Sequence, residues 1–180
     1  MSDARILADI LRVDHAGEVG AIRIYRAQMA IARWRAPDLD QVLEAALSDE
    51  IGHRDFFAAG LRERGITPCH MLGFWWTGGA LLGAGTALLG RDAILTCTEA
   101  VERTVHRHMD DQIAWLRSRD PALADGLAAI RDEEVEHLIG ARTAGGRRPR
   151  WLDTIVVTAT EALVWLSTYG ASARLTRAVR

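Results

Sequence analysis

Two Glu-x-x-His motifs contain the residues best suited to do chemistry. Glu50 and His53 lie in "SDEIGH", and Glu134 and His137 lie in "DEEVEH". Residues three positions apart share one face of a helix, so each pair can present a carboxylate and an imidazole to the same point. Such ligands suit iron or manganese. One motif alone would be weak evidence, because acidic runs on helices usually face water.

A sequence repeat strengthens the metal hypothesis. The second motif follows the first by 84 residues, and the same offset relates Pro37 to Pro121 and Glu18 to Glu102. Repetition at a fixed offset indicates two copies of one helical unit, here a hairpin. Two packed hairpins would bring the donors to one height in a four-helix bundle, as in carboxylate-bridged di-iron or di-manganese sites. The predicted metal ligands are Glu18, Glu50, His53, Glu102, Glu134 and His137.

Helices must position these side chains, and apolar residues recur at helical spacing through most of the chain. Prolines stand where helices could begin or connections turn. We predict an all-α fold in a single domain, 1–180, with hairpins at about 3–63 and 91–144, an apolar crossover at 65–90 and an extra C-terminal helix at about 153–177. The individual helices are expected at about 3–35, 38–63, 91–118, 121–144 and 153–177.

Composition narrows the possible functions. The chain has 180 residues, 49% of them hydrophobic, which is enough for one domain with a substantial core. Its net charge of −2 argues against a nucleic-acid partner, which normally requires a basic excess. Cys69 and Cys97 form no C-x-x-C pair and are expected to be buried thiols. The charged start, "MSDARILADI", does not resemble a secretory signal, so we expect a cytoplasmic protein.

Four stretches resemble the demethoxyubiquinone hydroxylase family, the ferritin-like di-iron monooxygenases of ubiquinone biosynthesis. They are "LRVDHAGEVGAIRIYRAQM", "DEIGHRDFF", "AVERTVHRHMDDQ" and "RDEEVEHLIGA". The resemblance implies that the six residues bind two iron ions, bridged by Glu50 or Glu134, or by Glu18 and Glu102 in some redox states. It implies hydroxylation, with O2, of the ring of a 2-polyprenyl-3-methyl-6-methoxy-benzoquinol (demethoxyubiquinol). NADH is the candidate electron donor.

One position departs from the family pattern, and neighbouring acids compete with the predicted ligands. Met109 stands where some family members have a tyrosine, which puts any tyrosine-mediated transfer from that position in doubt. Of the nearby acids, only Glu133 has an acidic counterpart under the repeat, Asp49. The weaker ligand candidates are Glu99, Glu133 and Glu136.

Other polar residues lie at helical spacing from the ligands. Tyr25 and His106 could each lie above the site, since they follow Glu18 and Glu102 by seven and four residues. An ordinary packing or surface role is the simpler interpretation of both. Three further histidines are left without a role: His15, His70 and His108.

The segment 65–90 has no Asp, Glu or Arg in 26 positions and contains seven glycines. It is long enough to cross a membrane, but one crossing would separate the two halves of the metal site. We therefore expect a crossover along the bundle, with an apolar face against lipid or a partner; a buried helix with ordinary surface arginines is the alternative. Gly79 and Gly83 form G-x-x-x-G, which is weak evidence in a glycine-rich run. The expected interfacial residues are Phe74, Trp75, Trp76, Arg147, Arg148, Arg150 and Trp151.

These expectations place the protein peripherally on the cytoplasmic face of the cell membrane, with a polyprenyl benzoquinol and O2 as partners. A homo-oligomer or an accessory lipid-binding protein would be further partners. The competing functions are iron storage or a peroxidase of the ferritin or rubrerythrin type, a tRNA-hydroxylating di-iron enzyme, and a metal-free membrane-surface scaffold. An apolar crossover would hinder a storage cage, the sequence has no C-x-x-C iron domain, and balanced charge disfavours tRNA.

Overall fold

Helices make up almost the whole described chain, residues 2–179 of a computed structural model. No strand occurs within that range, so the predicted all-α class is confirmed. That residues 1–180 form a single domain stays a prediction. The helices are α1 (Asp3–Arg35), α2 (Asp40–Glu63), α3 (Leu72–Leu89), α4 (Arg91–Leu116), α5 (Pro121–Thr143), α6 (Arg150–Ser167) and α7 (Ala171–Val179).

Two antiparallel hairpins, α1 with α2 and α4 with α5, form the bundle. The first turns through a short 3-10 segment, Pro37–Leu39, and α5 of the second begins at Pro121. Proline suits a first turn because its missing N–H would have no helical partner there. Asp120 caps α5 by accepting a hydrogen bond from the Leu123 backbone N–H at 3.1 Å. The turns therefore fall at the prolines related by the repeat.

Apolar clusters fill the bundle on both sides of its middle. Leu11 of α1, Phe57 of α2, Leu116 of α4 and Leu127 of α5 belong to one cluster. A second cluster contains residues nearer the other end of the same four helices: Tyr25, Leu43, Ile94 and Ala141. Each helix therefore has a polar band between two apolar layers, and that band holds the predicted ligands.

Helix α3 packs closely along α1. A Cβ atom added at Gly79 would collide with the carbonyl oxygen of Gly20, and one added at Gly83 would collide with that of Ile24. Only glycine permits this backbone separation. The G-x-x-x-G pair thus marks a close contact between α1 and α3. The crossover is helical over Leu72–Leu89, about 27 Å at 1.5 Å per residue.

The predicted single C-terminal helix is wrong, because the chain breaks between α6 and α7. Tyr169 and Gly170 have φ angles of 48° and 74°, in the left-handed region. The Gly170 N–H donates to the carbonyl of Trp165 at 2.9 Å, which closes the end of α6. The chain then turns, and α7 packs against α4 and α6.

Two of the expected interfacial residues have structural roles instead. Trp75 is buried, and its indole N–H donates to the Ser167 hydroxyl at 2.9 Å. The Arg148 guanidinium pairs with Glu99 at 3.0 Å and also donates to the carbonyls of Ala141 and Gly145. The expectation that Trp75 and Arg148 face a membrane is therefore wrong. Phe74, Trp76, Arg147, Arg150 and Trp151 are exposed.

Candidate metal centre

All six predicted ligands meet in the polar band at mid-bundle. Four helices supply them: α1 and α4 one glutamate each, α2 and α5 one Glu-x-x-His pair each. The four glutamates and His53 are no more than 4% exposed, and His137 is slightly more accessible. Their donor atoms form two overlapping groups, and within each group all the donor atoms lie within 4.8 Å of one another. The groups are Glu18, Glu50, His53 and Glu134, and Glu50, Glu102, Glu134 and His137.

Glu50 and Glu134 belong to both groups. Each of the two groups adds one further glutamate and one histidine, so the arrangement has two equivalent halves that share two carboxylates. A carboxylate has two oxygens and can serve two cations at once. Glu50 and Glu134 are therefore the carboxylates that the two halves of the cluster have in common.

Both histidines are oriented by an acid from the opposite hairpin. The Nε2 atom of His53 lies 2.8 Å from Glu133, and that of His137 lies 3.0 Å from Asp49. Their Nδ1 atoms lie 3.1 and 3.4 Å from carboxylate oxygens of Glu134. An acid on one ring nitrogen fixes the ring and directs the other nitrogen inward, as in many metal sites. Glu133 thus supports a histidine, where the sequence had left it as a weaker ligand candidate.

Four inward-facing polar atoms have no hydrogen-bond partner among the described residues. They are Oε2 of Glu50, Oε2 of Glu134 and the Nδ1 atoms of His53 and His137. Buried polar atoms are normally paired, so a cluster of unpaired ones requires an explanation. Metal ions would satisfy these atoms, and two divalent cations would balance the four carboxylates. The residues present therefore fit a metal site.

The electrostatics of the metal-free cluster show how strongly its charges interact. Burial raises the pKa of Glu18 and Glu102, and the nearby carboxylates of Glu50 and Glu134 raise these pKa values further. Burial alone would lower the pKa of the two histidines. Their contacts with Glu134 and other acids raise it by more than burial lowers it. The pKa of His53 is raised to about 11 and that of His137 to about 9. Without metal the cluster holds protons, which a cation must displace.

Tyr25 packs in the second apolar cluster, as the simpler interpretation expected, and it also contacts the carboxylates. Its hydroxyl donates to Glu102 Oε1 at 2.6 Å. His106 instead lies near Asp110, with Nδ1 and Oδ2 3.5 Å apart, which confirms its ordinary surface role. The position 84 residues after Tyr25 is Met109, which is buried. The two halves therefore differ, since a phenol supports Glu102 and a buried thioether stands at the repeat-equivalent position.

A cavity of about 180 Å³ reaches the carboxylates of the cluster. All four glutamates line it, and its walls come from α1, α3, α4 and α6. Ile24, Leu82, Val101 and Leu163 make these walls apolar. A second cavity of about 320 Å³, between α2, α4 and α5, reaches Tyr25 and His137. We call the first the α3 cavity; it combines an apolar space with the four clustered carboxylates.

Comparison with known proteins places the chain in a family. The model of the family described as "Ubiquinone biosynthesis protein COQ7" matches residues 5–167. The chain belongs to this COQ7 family. The family predicted from the four sequence stretches is thereby confirmed.

Several curated relatives of this COQ7-family chain are named as hydroxylases. A 3-demethoxyubiquinol 3-hydroxylase of Rhodospirillum rubrum is 34% identical over 169 residues, 92% of the chain and 79% of the relative. The mitochondrial 5-demethoxyubiquinone hydroxylase of Saccharomyces cerevisiae is 34% identical over 155 residues, 77% of the chain and 66% of the relative. A mitochondrial NADPH-dependent 3-demethoxyubiquinone 3-hydroxylase of Mus musculus is 38% identical over 132 residues, 71% of the chain. The chain spans 60% of the length of this mouse relative.

Sequence reasoning missed three polar residues around the site of this COQ7-family chain. Asp49 had a visible signal, because it is the repeat equivalent of Glu133 and both acids bond a histidine. Asp14 and Gln112, in the wall of the α3 cavity, had none, because only the packing of α1 on α4 brings them together. Of the other weak ligand candidates, Glu99 pairs with Arg142 and Arg148, and Glu136 lines the second cavity.

Proposed function

We propose that this chain is a di-iron monooxygenase that hydroxylates the ring of demethoxyubiquinol in ubiquinone biosynthesis. The observation that carries the proposal is the cluster of four glutamates and two histidines at the end of an apolar cavity. The apolar walls of the cavity suit a lipophilic substrate ring, whereas a site that reacts only with small water-soluble molecules does not require them. The activities for which the Rhodospirillum and yeast relatives are named support the same substrate class.

The proposed ligands are the six residues of the cluster, which would together hold two iron ions. When bound, the iron would supply the redox chemistry by which O2, two electrons and two protons convert a ring C–H to C–OH and water. The surrounding side chains keep this site in shape. Tyr25 holds Glu102, and two acids orient the histidines through Nε2. The α3 cavity binds the ring and excludes water.

The source of electrons is a separate part of the proposal. The family resemblance implies NADH, whereas the mouse relative is named as NADPH-dependent. We propose that a reduced nicotinamide dinucleotide serves here, and comparing the two with purified protein identifies which. Homo-oligomerisation and an accessory lipid-binding protein stay predictions.

We also propose that the chain lies peripherally on the cytoplasmic face of the cell membrane. By length and composition α3 could cross a membrane, with a mean hydropathy of 1.2. If α3 crossed a membrane, α1 and α2 would lie on one side of it and α4 and α5 on the other. The six-residue cluster needs all four of these helices on the same side. Contact with lipid is favoured by exposed large side chains on α3 and α6, which both line the α3 cavity. These are Phe74, Trp76, Leu81, Trp151, Ile155 and Trp165.

Replacing both Phe74 and Trp76 with serine is expected to lower binding to anionic phospholipid vesicles by at least about 10-fold, because each buried aromatic contributes roughly 1.5–3 kcal/mol. Co-sedimentation with vesicles measures the partition. The control replaces Val42 and Ile139 with serine, since Trp76 and Ile139 are both 46% exposed but Ile139 lies on α5. Equal binding by both double variants would contradict the proposed orientation.

Deleting the gene is expected to remove most ubiquinone and to cause its demethoxy precursor to accumulate, because the missing hydroxyl is needed before the last methoxy group can form. Mass spectrometry of extracted quinones measures both compounds. A plasmid copy should restore the profile, and a copy with Glu134 replaced by alanine should not. A normal quinone profile would refute the hydroxylase proposal, and iron binding in that case would favour storage or peroxidase chemistry.

A further inference from the structure

Asp14 and Gln112 form a hydrogen-bonded polar pair in the wall of the α3 cavity. Asp14 lies one helical turn before Glu18 on α1, and Gln112 lies on α4. The Gln112 side-chain N–H donates to Asp14 Oδ1 at 2.8 Å. Both residues line the cavity, and Gln112 is only 4% exposed.

Each member of this pair has a second oxygen with no partner. Asp14 Oδ2 and Gln112 Oε1 are both buried, and neither accepts a hydrogen bond from any described residue. A carboxylate oxygen and an amide oxygen are both hydrogen-bond acceptors. The pair therefore offers two unused acceptors at the wall of an apolar cavity, one turn from the metal ligands.

Stability gives no reason for this arrangement. Burial raises the pKa of Asp14 to about 7, and the single hydrogen bond from Gln112 only partly offsets that effect. A buried carboxyl with an unpaired oxygen weakens a fold, and an apolar side chain there would pack with less cost. Local conflicts of this kind are expected where a site serves function.

We propose that Asp14 and Gln112 bind a phenolic hydroxyl of the substrate ring and so select the reduced quinol over the oxidised quinone. The inference rests on the proposed function, which supplies the substrate class. A quinol hydroxyl carries one proton, which either unused oxygen can accept, or both in a bifurcated hydrogen bond. A quinone ring has carbonyl acceptors only, so the same two oxygens would face it without a donor.

The position of the pair fits this role. Residues at i and i+4 lie on one face of a helix, so Asp14 and Glu18 both face the cavity from α1. A hydroxyl held at Asp14 brings the ring beside the carboxylate end of the cavity, while the apolar walls take the rest of the molecule. Both residues would touch substrate, and neither belongs to a metal-donor group.

The test measures affinity for the two forms of one ring. The probe is 3-methyl-6-methoxy-benzoquinol with a short alkyl tail at carbon 2, and the matched quinone. Anaerobic calorimetry uses the full chain loaded with zinc, which has no redox chemistry and leaves both probes unchanged. Unmodified protein should bind the quinol at least about 10-fold more tightly than the quinone. Asp14→Asn and Gln112→Leu should each weaken quinol binding by about 10-fold or more, while quinone binding changes less than about twofold.

Asp9→Asn is the matched control, because Asp9 lies on α1 but outside the lining of the α3 cavity. Zinc content and helical circular dichroism should be equal in all variants. If Asp14→Asn or Gln112→Leu left quinol binding unchanged, or weakened both forms equally, the inference would be overturned while the proposed function stood. If unmodified protein bound neither the quinol nor the quinone, both the inference and the proposed function would be refuted.

Discussion

Replacing Glu134 with alanine is expected to reduce bound iron to fewer than one ion per chain and to lower hydroxylation by more than about 100-fold. Glu134 belongs to both donor groups and lies 3.1 Å from His53 and 3.4 Å from His137, so its loss damages both halves. Substitution of a group that only supports a ligand commonly costs 10- to 100-fold, and a shared ligand should cost more. Metal analysis after anaerobic Fe(II) loading and desalting measures the effect.

A second readout separates metal binding from folding. A cation that binds only the folded chain raises its melting temperature, so Fe(II) should stabilise unmodified protein and have little effect on Glu134→Ala. Without metal the variant should still fold, because the two apolar clusters on either side of the polar band hold the four helices together. Glu136→Ala is the control, since Glu136 lies on the same helix but in neither donor group. Full iron content in Glu134→Ala would refute the ligand assignment.

The repeat explains why so much of the site could be predicted. In each hairpin the turn falls about midway between the upstream glutamate and its Glu-x-x-His motif. The glutamate and the motif therefore reach the same height on the two antiparallel helices. Pro37 and Pro121 then mark the turns, which the structure places as expected. The same offset also related Asp49 to Glu133, whose shared role as histidine partners became visible only once the two hairpins faced each other.

Features that depend on contacts between distant segments could not be predicted. Trp75 faces inward because Ser167 of α6 accepts its indole N–H, and Arg148 is engaged because Glu99 lies across from it. Composition assigned both to a membrane surface, since aromatic and basic residues are common there. The break at Tyr169 and Gly170 was missed because the apolar period continues on both sides of it. Tertiary packing decided each of these cases.

Replacing Gly83 with alanine is expected to lower stability by about 1–3 kcal/mol, since the added methyl group meets the backbone of Ile24 and α3 must move away from α1. For a chain of this size that corresponds to a fall in melting temperature of roughly 2–12 °C. Thermal unfolding followed by circular dichroism measures it. Gly85→Ala is the control, because Gly85 lies two residues further along the same helix with nothing within 4 Å of an added Cβ atom.

The two substitutions should act in opposite directions. Alanine at Gly85 favours the helix by about 0.5–1 kcal/mol through its lower backbone entropy, so Gly85→Ala should melt at or above the temperature of unmodified protein. Gly83→Ala should keep its iron, because the six proposed ligands lie on α1, α2, α4 and α5. Its hydroxylation should fall, since α3 supplies one wall of the α3 cavity. Similar melting temperatures for both variants would contradict the close α1–α3 contact; loss of iron in Gly83→Ala would instead mean that α3 also holds the metal-bearing helices in register.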